Sequence, residues 1–211
     1  MNIYDLLLLA PPILLALTFH EFSHAWVAFR FGDNTAQQMG RLTLNPLAHL
    51  DLMGTVMIFL VHFGWAKPVP VNPLNLKNPK SDMLWISLAG PVSNMLLALV
   101  SGLSIRFLVA GGLDPKSGGM TAILAQMLWL SLQINLALAV FNILPVAPLD
   151  GSKILFGLLP RRYEHLMIPL YNYGPIVLMA LILLSYTSHF SILGRMIWPF
   201  VRFFTHIFAG I

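Results

Sequence analysis

Five stretches of this 211-residue chain are long and apolar enough to cross a lipid bilayer, and nothing else limits its fold as strongly. A crossing helix takes roughly 20 residues. The stretches run over about 3–31, 82–110, 120–143, 165–187 and 190–210. Charged residues make up only 9% of the chain, against about 25% in soluble domains. A sixth apolar stretch, Leu52 to Trp65, is about 14 residues long. That length suits a re-entrant or interfacial element better than a span. Pro68, Pro70 and Pro73 stop any helix soon after it and push Val69-Pro70-Val71-Asn72-Pro73 into extended geometry. The expected fold is an all-α polytopic membrane protein of about five to six transmembrane helices. A re-entrant or extended segment lies at about 52–73, and residues 1–211 form a single membrane-embedded domain.

The basic residues set an orientation. If Leu52–Trp65 does not cross, the loop at about 32–81 carries Arg41, Lys67, Lys77 and Lys80 on one side. The loop after the third span carries Lys153, Arg161 and Arg162 on that same side. The opposite side keeps Lys116, offset by Asp114, and a link near Ser188. The positive-inside rule then places both basic loops in the cytoplasm. The first 29 residues hold no Lys or Arg, so the first apolar segment is expected to be retained rather than removed as a signal peptide. The net charge of +4 is scattered. It speaks for contact with anionic lipid and against nucleic acid as a partner.

The chain has no cysteine, so a metal would be held through nitrogen or oxygen. His20-Glu21-Phe22-Ser23-His24 is an H-E-x-x-H motif inside the first apolar segment. Residues i and i+4 share a helix face, so both imidazoles reach one ion. Glu21 stands beside them and can accept a proton from water at that ion. The bland alternative is a polar face lining helix contacts or reaching interfacial water. Three ionisable groups in five membrane residues are costly without a purpose.

A catalytic zinc takes three protein ligands and leaves one position open. The candidates for the third are Asp33, His49, Asp51, Asp82, Asp114, Asp150, Glu164 and His165. Asp150 closes the run Asn142-Ile143-Leu144-Pro145-Val146-Ala147-Pro148-Leu149-Asp150-Gly151 at the end of the third span. It reads equally as a ligand on a rigid turn or as a cap of the next short helix. Topology favours the ligand. His20 is about 17 residues, roughly 25 Å, into the first span, so the motif lies toward the cytoplasmic end. The third span returns to that same end at Asp150.

The chain resembles the site-2 protease family of intramembrane zinc metalloproteases. The resemblance rests on four elements in order: the H-E-x-x-H motif, Gly64-Trp65-Ala66-Lys67-Pro68-Val69-Pro70-Val71, Gly90-Pro91-Val92-Ser93-Asn94, and Asn142 through Gly151. It extends to about residue 160 and is closest to compact prokaryotic members without PDZ or CBS domains. It implies one Zn²⁺ held by His20, His24 and Asp150, with Glu21 as catalytic base. It also implies a multi-pass protein of a prokaryotic plasma membrane, with its active site facing the cytoplasm. The substrates would be transmembrane proteins cut in or near their helices. Asn94 and Asn142 match family asparagines whose amides could bind substrate or tie helices together. The extended Lys67–Asn72 segment, with Val69 and Val71, could pair with an unwound substrate strand. The alternative for that segment is a loop that only shields the site.

His49, His62, His165, His189 and His206 read as interfacial or loop histidines. Gly174-Pro175 is expected to kink or interrupt the fourth span. The competing functional reading is a divalent-metal transporter or sensor using the same ligands. Glu21 counts against it, because a transporter needs no base.

Overall fold

The computed structural model describes residues 3–61, 64–112, 118–187 and 192–210. Asp114, Lys116, Ser188, His62 and His189 lie outside them. Eight α-helices are described: α1 Ile3–Arg30, α2 Thr35–Gln38, α3 Leu52–Val61, α4 Pro79–Ala110, α5 Gly119–Ile143, α6 Asp150–Leu158, α7 Met167–Thr187 and α8 Ile192–Ala209. Among the described residues there is no strand, only an isolated antiparallel bridge between Leu50 and Ala66.

Four segments are long and apolar enough to cross a membrane: Tyr4–Arg30, Pro79–Ala110, Gly119–Ile143 and Arg161–Ser185. The fifth expected span falls outside this group. It forms α8, which has only 18 residues and carries Arg195, Arg202 and His206. Those charges gather on one side, and the other side packs inward through Leu193, Val201 and Ala209. The outer faces of the long helices are apolar, as in Leu7, Leu96, Leu183 and Phe107, the last 80% exposed. Such continuous apolar exposure suits contact with lipid.

Side-chain contacts give the helix directions. Asn94 of α4 reaches the carbonyl of Ala16 in α1, while His24 of α1 reaches the carbonyl of Ile86 in α4. As α1 advances, its partner on α4 recedes, so the two run antiparallel. Asn94 bonds Asn135 and Ser101 bonds Ser131, so α4 and α5 are antiparallel as well. The ends of α1 and α5 therefore lie at the same end of the bundle. Helix α4 is the central element, packed against α1, α5, α6 and α8. Its Ala98 and Ile105 form a core with Leu132, Leu136, Val201 and Ala209.

Helix α3 is ten residues long, about 15 Å, half of what a crossing needs. The Leu50–Ala66 bridge and the bond from Lys67 N–H to His49 C=O, 2.9 Å, hold its two flanks side by side. The segment thus leaves and returns on one side, as its length and prolines require. The basic loops also share a side. Lys80 Nζ donates to the carbonyl of Leu159 and lies 2.7 Å from Glu164 Oε1.

Helix α7 runs unbroken through Gly174-Pro175, so of the expected kink or interruption the interruption does not occur. One missing N–H costs a helix one hydrogen bond, which the neighbouring turns carry. Gly174 instead marks a close approach: a Cβ there would meet the backbone and side chain of Ala147 at 2.8–2.9 Å.

Candidate metal centre

The helical spacing of four carries His20 and His24 to one face of α1, and α6 brings Asp150 to the same point. His20 Nε2 lies 3.0 Å from His24 Nε2. Asp150 Oδ2 is 3.2 Å from the first and 3.1 Å from the second. All three residues are buried. Among the described residues they are the one group of three ligand-type side chains placed to hold an ion.

The other ring nitrogens decide what this cluster is. His20 Nδ1 donates to Asn94 Oδ1 at 2.6 Å, and His24 Nδ1 donates to the carbonyl of Ile86 at 2.6 Å. Each imidazole thereby carries its proton on Nδ1 and turns a bare Nε2 lone pair to the centre. Burial pushes the carboxyl of Asp150 up, but the two imidazoles outweigh it and hold Asp150 below the usual carboxylate range. With both Nδ1 atoms committed outward, two Nε2 atoms and one carboxylate oxygen converge on one point, the arrangement that a bound cation completes. Bonds of roughly 2.0–2.2 Å in a tetrahedron put ligand atoms about 3.3 Å apart, close to these separations. Two imidazole nitrogens and one carboxylate oxygen are a donor set of catalytic zinc, which keeps a fourth position for water.

The local sequence makes room for it. A Cβ on Gly90 would stand 2.6 Å from His20 Nε2 and closer still to His24 Nε2. Gly151 likewise lets α6 start hard against the backbone of Ile143 and Leu144. Asp150 is the first residue of α6 and makes no side-chain capping bond there, so the capping reading is not realised. Lys153 Nζ stands 3.9 Å from its second oxygen.

Other third-ligand candidates are engaged elsewhere. Asp51 accepts from Gly54 N–H, Asp82 from Asn78 N–H, and Glu164 pairs with Lys80. Asp33 is fully buried. It accepts from Asn72 N–H at 2.7 Å, Asn75 Nδ2 at 2.8 Å, Thr35 N–H at 3.1 Å and the Thr35 hydroxyl. His49 sits in the loop before α3, as expected, but it is buried rather than interfacial. It is 1% exposed, donating Nε2–H to Thr43 C=O at 2.8 Å and facing Arg41. Arg41 Nη2 in turn donates to Lys67 C=O at 2.6 Å. Arg41, His49 and Asp33 thus pin the extended segment that follows α3, here called the strap (64–72), near both ends.

Glu21 faces that strap. Its Oε2 accepts from Val69 N–H at 2.8 Å. The side chain of Val71 packs on the cluster of Ala28, Leu76 and Ile86. Asn94 is fully buried and holds His20, with its Nδ2 donating to Asn135 Oδ1 at 2.8 Å. Asn142 Nδ2 donates to Leu138 C=O in its own helix at 3.0 Å. Asn135 was not singled out in the sequence, while Asp33 was named there only as a possible ligand and Arg41 only as a loop charge, neither as an anchor of the strap. An amide in the middle of a membrane-length helix, costly unless it is paired, was the signal available for Asn135.

The Asp33 anchor carries a pH prediction. Burial raises its carboxyl, but hydrogen bonds from Thr35, Asn75 and Asn72 outweigh this and lower it. A group lowered in the folded state stabilises above its free value, near 4, and loses that effect as pH falls through the lowered value. Exchange at the Asn72 amide should therefore stay slow from neutral pH down to about pH 4. Asp33→Ala should speed it by roughly 10- to 100-fold at neutral pH, the loss of one charge-assisted bond. Hydrogen–deuterium exchange of the strap measures both.

A helical bundle of membrane-length segments, holding two histidines and an aspartate around a cation-sized gap with a glutamate alongside, defines a membrane metallopeptidase. Sequence relationships agree. Residues 108–185 match the model of Peptidase family M50. The chain is 38% identical over 190 residues to the "Putative zinc metalloprotease YwhC" of Bacillus subtilis, covering 90% of this chain and 84% of that protein. It is 31% identical over 176 residues to the "Putative zinc metalloprotease Rip2" of Mycobacterium tuberculosis (strain H37Rv), covering 81% of this chain and 64% of that protein. With the "Zinc metalloprotease MJ0392" of Methanocaldococcus jannaschii it shares 24% over 154 residues, 73% of this chain and 35% of that protein. No solved structure matches. The chain belongs to Peptidase family M50, the site-2 proteases, and is a zinc-dependent metalloprotease of a multi-pass membrane type.

Proposed function

We propose that this chain hydrolyses peptide bonds in or beside the transmembrane helices of other membrane proteins, with Glu21 as general base and His20, His24 and Asp150 as the ligands of one zinc ion. The observation that carries the reading is the convergence of both Nε2 lone pairs and Asp150 Oδ2 within 3.2 Å of one another, between helices of membrane length. Zinc, when bound, supplies Lewis acidity that acidifies water and polarises a carbonyl.

The chain supplies the rest. Asn94 and the Ile86 carbonyl fix the tautomers and ring planes of His20 and His24. Glu21 accepts the proton of the attacking water and returns it to the leaving amine, and no covalent intermediate is needed. The burial of the cluster keeps bulk water out. A substrate helix must unwind to present a carbonyl here. The N–H groups of Lys67, Val69 and Asn72 are already spent on His49, Glu21 and Asp33. Pairing of a substrate strand with this segment would thus use its carbonyls or the Val71 N–H, or displace Glu21 at Val69.

The orientation belongs to the same proposal. The site lies at the end of the bundle that carries Lys80, Lys153, Arg161 and Arg162, so the positive-inside rule turns it to the cytoplasm of a prokaryotic plasma membrane. The test is Glu21→Gln in purified protein reconstituted with a tagged transmembrane substrate. Zinc content should be unchanged and cleavage should fall by at least about 100-fold. Cleavage at the wild-type rate with zinc bound would sink the mechanism.

A further inference from the structure

The strap places one backbone donor against the catalytic carboxylate, and its sequence is arranged around that donor. In Lys67-Pro68-Val69-Pro70-Val71-Asn72-Pro73, three prolines leave backbone N–H groups only on Lys67, Val69, Val71 and Asn72. Lys67 and Asn72 anchor the segment, through His49 C=O and Asp33 Oδ2. Arg41 adds a second bond to Lys67 C=O. Between these two anchors, Pro68 and Pro70 fix φ on either side of Val69. The Val69 N–H is therefore held on a rigid frame, and it meets Glu21 Oε2 at 2.8 Å.

We propose that the Val69 backbone amide is a positioning group for Glu21. It holds one carboxylate oxygen so that the other stays aimed at the attacking water. A glutamate on a helix surface has three rotatable bonds and many positions. The amide removes that freedom without placing a second charge beside the site. Donors fixed in advance on a rigid frame cost no reorganisation during reaction. This assignment rests on the reading of Glu21 as the base. It also gives the Lys67–Asn72 segment a role within the chain itself, aside from any contact with substrate.

Two measurements on the zinc-loaded protein in lipid test it. The first is hydrogen exchange. A peptide covering 67–73 reports few amides, so Val69 is readily resolved. Glu21→Ala should speed exchange at Val69 by roughly 10-fold or more, while Glu21→Gln, whose Oε1 still accepts, should keep it slow. Unchanged exchange in Glu21→Ala overturns the assignment. The second is a backbone ester at Val69, with the α-hydroxy analogue of valine replacing N–H by oxygen. It should lower kcat by roughly 10- to 100-fold, as small misplacements of a reacting group do, with KM and zinc content unchanged. A wild-type kcat, or a loss confined to KM, overturns the assignment. The base reading stands or falls apart from this. Glu21→Gln that still cleaves removes the base itself, whereas an inactive Glu21→Gln beside a fully active ester removes only the role of Val69.

Discussion

Gly90→Ala is expected to abolish proteolysis and to strip the protein of zinc, although Gly90 offers no ligand. Its added Cβ would sit 2.6 Å from His20 Nε2 and nearer to His24 Nε2, in the space where the ligands converge. Real carbon atoms do not approach so closely, so at least one imidazole must swing away. Structural zinc sites bind with about 10–16 kcal/mol in total, so one ligand's share is on the order of 3–4 kcal/mol. Zinc affinity should fall roughly 1,000-fold. The metal-free fold should lose only the buried hydrogen bond of the displaced imidazole, about 1 kcal/mol. Gly90 lies inside α4, where alanine is the better helix former by about 1 kcal/mol. Zinc analysis of the purified variant, with circular dichroism on the same sample, separates a filled site from an unfolded chain. A stoichiometric, active Gly90→Ala would show that the ligands do not meet where the structure puts them.

That prediction marks the boundary of what the sequence discloses. The two histidines were legible because helical spacing forces i and i+4 to one face. Asp150 was legible through topology. Counting spans returned it to the end of the bundle where His24 lies, and α1 and α5 do run in the same direction. The re-entrant α3 was legible from length alone. Gly90 was legible as part of a motif, but not as the wall of the site. What it faces depends on the rotation of α4, which the all-round apolar surface of that helix does not encode.

The strap was half legible. Its prolines announced an extended backbone, while its anchors stayed hidden. Arg41, His49 and Asp33 act on backbone carbonyls and amides, which leave no side-chain pattern to read. The expected fifth span shows the limit of hydropathy. Phe203, Phe204, Ile207 and Phe208 make the stretch apolar on average, while Arg195 and Arg202 make α8 two-sided.

Asp150→Ala should produce the other large loss, and it should differ in kind from Asp33→Ala. Asp150 provides the only anion among the three converging groups. Without it, two neutral imidazoles face the cation, and Lys153, 3.9 Å from the lost carboxylate, adds a repulsion that Asp150 had balanced. By the same per-ligand share, zinc affinity should fall about 1,000-fold or more, and cleavage should vanish. The fold should survive. The polar contacts of Asp150 run to His20, His24 and Lys153, and its place in the first turn of α6 contributes on the order of 0.3–1 kcal/mol. Removing Lys153 as well should recover part of the affinity, because the residual site would no longer carry an uncompensated cation. Asp33 also follows the first span closely and is also a buried aspartate, yet its oxygens are committed to Thr35, Asn72 and Asn75. Asp33→Ala should therefore keep its zinc and loosen the strap, while Asp150→Ala keeps the strap and loses its zinc. Zinc content and strap exchange, measured side by side on the two variants, decide the matter. A reversed pattern would mean that the third ligand is the wrong aspartate.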